Sequence, residues 1–303
     1  HRGRGGGGAF ITPRGARLGG GAPSAGMPRG GGFWGGGGWG LVYEAEHLFL
    51  GREVALKMLH PRYADMQRWS SLFLREARAA GALTHRAVVQ VVDAGFVDGT
   101  TPYLVMERLH GENLEARIAR RGGLRVEQAA LIAREVLRGL VAAHHKGIIH
   151  CDLKPANVFV VERSVEAGRI KILDFGISKT GQDALIAQDD GGEEVLGTPH
   201  YMAPEQITGQ DIGPATDLYG LGCILYEALS AAPPFRASSK TKLFRTIRDT
   251  PPGPLVGKRE AVPEGFRLFI ERLLAKNPAQ RPASATEALA ELERLGLVAG
   301  QGP

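Results

Sequence analysis

The texture of the chain changes at Gly111, and that change limits the folds open to it. Before it lie short runs rich in β-branched and aromatic residues. "LVYEAEHL" and "REVALKML", joined near Leu50-Gly51, read as a hairpin, and "AVVQVVDAGF" and "TPYLVMERL" are strands separated by a turn at Asp98-Gly99. One helical pattern, Gln67 to Leu83, interrupts them. After Gly111 the pattern is mainly helical. "RVEQAALIAREVLRGLVAAHHKG" is a long amphipathic helix ended by Gly147, and further helices are predicted over 215–231, 264–275 and 284–295. Two short strands, "NVFVV" and "RIKIL", flank a turn at Glu166-Ala167-Gly168. A small β-rich half followed by a larger helical half predicts an α+β chain of two lobes, and ligands favour the cleft between such halves.

Charge and glycine are unevenly spread. Of 43 glycines, 18 fall in residues 1–40, and residues 1–32 hold five arginines with no acid and no lysine. Those five arginines account for the whole net charge of +5. The remainder is neutral, so no nucleic-acid-binding surface is expected on it. Residues 1–32 carry too little apolar surface to offset the entropy of ordering them and read as a disordered tail. Arg-Gly tracts can bind RNA, and a plain flexible tail is the competing reading. Two cysteines, Cys151 and Cys223, imply no disulfide framework. The N-terminal stretch lacks the apolar core of a signal peptide, and the run Leu218–Leu229 is broken by Gly220, Gly222 and Glu227. A cytoplasmic setting with no membrane segment is the expectation.

Chemistry concentrates in "HCDLKPANVF", His150 to Phe159, which places Asp152, Lys154 and Asn157 within six residues. "DFG" at 174–176 follows Asp152 by 22 residues, behind the short strand pair. Upstream, "GGGGWG" supplies Gly35, Gly37 and Gly40 in a G-x-G-x-x-G pattern, with Lys57 in "VALK" 17 residues after Gly40. Glu76 in "FLREAR" lies on the first long helix, and "GTPHYMAPEQ" and "NPAQRP" come later. Glycine-rich loops let main-chain N–H groups approach phosphate oxygens. Each motif alone is weak; the ordered series is specific.

From Gly35 to about Leu295 the chain resembles a eukaryotic-type protein kinase, most like the bacterial serine/threonine kinases. The resemblance implies a bilobal fold: a β-rich N-lobe over 33–109, a helical C-lobe over 110–296 and a tail at 297–303. The strand feeding the glycine loop, "PRGGGFW", shows no alternation and is expected to be poorly formed or missing. The resemblance assigns Lys57 to the α- and β-phosphates of ATP, aimed by Glu76. It makes Asp152 the acceptor of the substrate hydroxyl proton and brings Lys154 to the γ-phosphate. Asn157 and Asp174 become ligands of Mg²⁺, or Mn²⁺ in its place. Val42 and Ala55 would cover the adenine, Met106 would close the back of its pocket, and the Glu107–Leu109 main chain would bond its edge. Asn113 falls where a ribose contact is found. Thr198 would link Asp152 and Lys154, Glu205 would pair with Arg281, and Asp217 would tie down the catalytic-loop backbone. Lys154 and Thr198 mark the serine/threonine type, so protein Ser/Thr hydroxyls are the implied acceptors. Such kinases also pair through their small lobes, which makes a homodimer compatible with the chain.

Cys151 departs from the pattern, because most kinases of this group carry an arginine there that clamps a phosphorylated activation loop. A thiol has neither the charge nor the forked donors for that. The loop from Ile177 to Leu196 offers only Ser178 and Thr180 as hydroxyls, and its later part is acidic. Activity independent of loop phosphorylation is therefore expected. His144 and His145, adjacent on a helix, read as a solvated helix end, and His150 is expected to pack beneath Phe175. A catalytically silent binding module of the same fold remains open at this point, as does RNA association through the tail.

Overall fold

A computed structural model of the chain describes residues 11–13, 33–37, 40–48, 50–63, 66–97, 99–162, 169–175, 199–210 and 212–297. The chain divides into a sheet unit, up to Ala82 plus Gln90–Leu109, and a helical unit, Leu83–Val89 plus His110 onward. The short excursion Leu83–Val89 thus clusters with the helical unit and not with the sheet that flanks it in sequence. Val88 forms a parallel bridge to Ile172 there, which accounts for its membership.

In the sheet unit, β1 (Ile11–Pro13), β2 (Phe33–Gly37), β3 (Gly40–His47), β4 (Arg52–Leu59), β5 (Val91–Val97) and β6 (Thr101–Glu107) form an antiparallel sheet. Its order is β1-β3-β4-β6-β5, with β2 also paired to β3. A strand runs from Phe33 into the glycine motif itself: Gly35, Gly36 and Gly37 pair with Val42, Leu41 and Gly40. A register break at Phe33/Gly35 fits the irregular strand expected, and residues 28–32 of the feeding stretch lie outside the described residues. Main-chain bonding needs no side-chain alternation, so glycine conceals a strand without preventing one. Within the tail read as disordered, Ile11–Pro13 pairs with Ala45–His47; the rest of residues 1–32 lies outside the described residues. Alternation along β3, β4 and β6 sends Tyr43, Ala45, Val54, Leu56, Tyr103 and Val105 into one buried cluster. The same register places Val42, Ala55, Lys57 and Met106 together on the opposite face. Helix α1 (Gln67–Ala82) packs in this unit through Leu72, Phe73, Ala77 and Ala80.

The helical unit starts with β7 (Gly111–Asn113), which pairs with β8 (Val158–Val161), itself paired with β9 (Ile170–Ile172). Asn113 caps α2 (Leu114–Arg121), its Oδ1 accepting from Ala116 N–H at 2.8 Å. α3 (Val126–His144) and α5 (Pro214–Ser230) form the centre of the core, with α4 (Pro204–Thr208), α6 (Lys240–Asp249), α7 (Glu264–Leu273) and α8 (Ala285–Arg294) around them. Ser239 and Ser284 cap α6 and α8 by accepting from Lys242 and Glu287 N–H. Gly220 decides one approach. A Cβ there would lie 2.9 Å from the Leu153 carbonyl oxygen, so only glycine lets α5 run directly beneath the segment that carries Asp152. No helix among the described residues is long and apolar enough to cross a membrane.

Candidate active site

Within the sheet unit, Lys57 is buried, and its Nζ donates to Glu76 Oε1 at 2.7 Å. The pair joins the middle of β4 to α1, as the sequence expected. Gly40 makes this arrangement fit: a Cβ on it would meet the Met58 carbonyl oxygen at 3.0 Å and the Lys57 side chain at 3.2 Å. Gly35 and Gly37 lie on β2, and Gly37 faces Gly40 across the hairpin. Met106 is buried on β6 opposite Ala55. The Glu107 N–H donates to the Gln90 carbonyl at 2.9 Å, which fixes the main chain at the end of β6. Leu109 is half-buried at the end of this unit.

Within the helical unit, the segment after α3 holds the acid–lysine–amide constellation. Lys154 Nζ lies 3.0 Å from Asp152 Oδ2, and Asn157 Nδ2 donates to the Asp152 carbonyl at 2.9 Å and reaches Oδ2 at 3.3 Å. A 3-10 turn, Pro155–Asn157, produces this return. With the Asn157 amide nitrogen committed to Asp152, its oxygen is the atom turned to other partners. The Leu173 N–H bonds the Asn157 carbonyl at 2.9 Å, which sets the start of "DF" beside it. Asp174 itself has φ of 48°, a left-handed conformation costly for a residue with a Cβ. Asn113 belongs to this unit, with its oxygen used for the α2 cap.

His150 organises the space behind the two carboxylates. It is fully buried, its Nε2 lies 2.9 Å from the Leu173 carbonyl, and its Nδ1 accepts from Asp152 N–H at 3.2 Å. One nitrogen donating and the other accepting defines a neutral ring. Burial drives its pKa below the ordinary histidine value, against the opposing pull of Asp217, Asp152 and Asp174. The ring packs on Phe175 at 4.7 Å between centroids, as expected.

The backbone here is held from below. Asp217, on α5, accepts from Cys151 N–H on Oδ1 and from His150 N–H on Oδ2, both at 2.9 Å. The pairing of Glu205 with Arg281 is bidentate at 2.7 and 3.0 Å and buried, with Thr216 donating to the same carboxylate at 2.9 Å. His144 corrects an expectation: it is not a solvated helix end, because its Nε2 sits 2.8 Å from Asp217 Oδ2. Periodicity alone leaves the direction of a residue at a helix terminus undetermined. Gln206 is a second residue that motif reading passes over, bonding the Cys151 carbonyl at 2.8 Å. Thr198, Gly176 and the activation-loop residues Ser178 and Thr180 lie outside the described residues.

The protein kinase domain family matches residues 31–292. A "Probable serine/threonine-protein kinase" of Corynebacterium efficiens is 36% identical over 84% of this chain and 39% of its own length. Serine/threonine-protein kinase pkn3 of Myxococcus xanthus is 36% identical over 84% of this chain and 47% of its own. PknA of Mycobacterium tuberculosis is 38% identical over 80% and 55% respectively. The chain therefore spans about half or less of the length of these relatives. Among solved structures, Rad53 1–466 in complex with AMP-PNP is similar with a TM-score of 0.65 and 25% identity, over 86% of this chain and 62% of that one. A match over most of the chain, with a β-sheet unit and a helical unit each carrying its part of the motif series, establishes that the chain belongs to the protein kinase domain family.

Proposed function

We propose that the chain is a serine/threonine protein kinase, transferring the γ-phosphoryl group of ATP to Ser or Thr hydroxyls of protein substrates. The observation that carries this reading is the convergence of Lys154 and Asn157 on Asp152, 3.0 and 3.3 Å from its Oδ2. These contacts hold the carboxylate in one orientation, where it can accept a substrate hydroxyl's hydrogen bond and then its proton. Lys154, 3.0 Å away, would meet negative charge on the transferring phosphoryl group. Lys57, braced by Glu76, would hold the α- and β-phosphates, with the backbone of Gly35, Gly37 and Gly40 above them. Val42, Ala55 and Met106 share the sheet face suited to adenine, with the Glu107–Leu109 main chain at its edge and Asn113 toward the ribose. Thr198 is assigned, as in the sequence reading, to the link between Asp152 and Lys154.

The donor chemistry fits a hard divalent cation. The Asn157 amide oxygen and the Asp174 carboxylate would hold Mg²⁺, or Mn²⁺, with phosphate oxygens completing the shell, and the ion would neutralise charge on the phosphates. The names of the relatives and the nucleotide analogue in the Rad53 complex support the same reading. Radiolabel transfer from ATP to a generic basic protein tests it: wild type should label the substrate, and Asp152→Asn should lose at least about 100-fold in rate. Equal labelling by the two would overturn the assignment of Asp152. Cys151 in place of the clamping arginine further supports activity without activation-loop phosphorylation. A Ser178→Ala/Thr180→Ala variant should keep its rate, and loss of transfer in a folded variant would refute that.

A further inference from the structure

Gln206 stands where α4 meets the segment that precedes Asp152. It is buried, its Nε2 donates to the Cys151 carbonyl at 2.8 Å, and its Oε1 accepts from Ala203 N–H at 2.9 Å. A carbonyl needs a donor and an N–H needs an acceptor, so only one orientation of the amide serves both. Cys151 has φ of 62°, a left-handed conformation that few residues other than glycine occupy without strain. Its peptide groups are gripped on both sides, the N–H by Asp217 Oδ1 and the carbonyl by Gln206 Nε2. A strained residue persists where its surroundings over-determine it.

We infer that Gln206 is a positioning residue for phosphoryl transfer, holding Cys151 in its left-handed conformation and thereby setting Asp152 against the acceptor hydroxyl. The inference rests on the kinase reading above. It also gives the loop a main-chain lock that does not use the side chain at 151, where this chain carries a thiol. Gln206 touches no reacting atom, so its loss should act on turnover more than on substrate affinity.

The test uses Gln206→Met, which keeps the volume and removes both hydrogen bonds, alone and combined with Cys151→Gly. Glycine takes positive φ without strain, so it needs less restraint. Gln206→Met should lower kcat by about tenfold or more, with peptide KM changed less than threefold. Adding Cys151→Gly should recover most of the lost kcat, which a merely structural defect would not do. A second readout is independent of turnover: Cys151 is buried, and its labelling by a thiol reagent should accelerate at least fivefold in Gln206→Met, with Cys151→Ser identifying the site. Should Gln206→Met not fold, Gln206→Asn, which keeps the amide one methylene short, takes its place. Unchanged kcat and unchanged labelling overturn the inference, as does a loss of kcat that glycine at 151 leaves in place. A wild type that transfers no phosphate would count against the kinase reading instead, and the labelling rate would still decide the lock.

Discussion

Asp217→Asn is the smallest change that separates the support of the catalytic segment from its chemistry. The carboxylate is 1% exposed and accepts from Cys151 N–H on one oxygen and from His150 N–H on the other, with His144 Nε2 2.8 Å from the second. An amide has a single oxygen, so one backbone N–H is left facing an NH₂ group. A buried donor without a partner costs about 1–3 kcal/mol. The surviving bonds also lose charge assistance, which roughly halves their strength. A total loss of about 2–4 kcal/mol follows, or roughly 3–7 °C in melting temperature for a chain of this size. The catalytic effect is separate. With Cys151 released from its left-handed conformation, a displacement of Asp152 by about 1 Å would cost about 100-fold in kcat. KM for ATP should move less than threefold, because Lys57 and Gly40 belong to the sheet unit and keep their partners. Urea unfolding and steady-state phosphotransfer on the same preparation measure both quantities. A folded Asp217→Asn protein with wild-type kcat would refute the reasoning, since the segment would then need no side-chain acceptor beneath it.

Two further outcomes follow from buried charge. Arg281→Met leaves the Glu205 carboxylate buried, with Thr216 as its remaining side-chain donor, and should cost about 3–5 kcal/mol in urea unfolding, whereas Glu205→Met/Arg281→Met should cost clearly less. A double variant as unstable as the single would contradict this. For pH, burial holds the folded His150 below the ordinary value of 6.5, so on acidification the unfolded chain protonates first, binds more protons and gains relative to the folded one. Stability should therefore fall as pH drops below 6.5, and His85 and His200, also lowered chiefly by burial, add in the same direction. Unfolding free energies at pH 7.5 and 5.5 check the sign; a smaller loss is expected in His150→Phe, and a flat profile in wild type would sink the argument.

What could be read from the chain and what could not divide along a physical line. Lys57, Glu76, Asp152, Asn157 and Asp174 stood out in the sequence because the family's motif series fixes their order and type, and the structure pairs Lys57 with Glu76 and brings Asn157 onto Asp152. The pairings of Glu205 with Arg281 and of Asp217 with the segment at 150–151 were legible only through the family resemblance. The long helices showed themselves by apolar spacing. By contrast, β2 is built largely from Gly35–Gly37, whose pairing is a main-chain matter that no side-chain pattern announces. Helix α2 is short and rich in arginine, and its start depends on the cap at Asn113, not on an apolar stripe. His144 and Gln206 were missed for a related reason. Each bonds a group far away in sequence, 73 residues off for His144 and 55 for Gln206, and neither letter says which way its side chain points. The motif letters name the groups that would act on substrate. The precision with which Asp152 is presented comes instead from Asp217, Gln206 and the close approach allowed by Gly220, all of which act on peptide groups. A substitution at 151 can therefore remove the arginine of the family pattern and leave the main-chain support of the loop in place, because none of those contacts involves the side chain at that position.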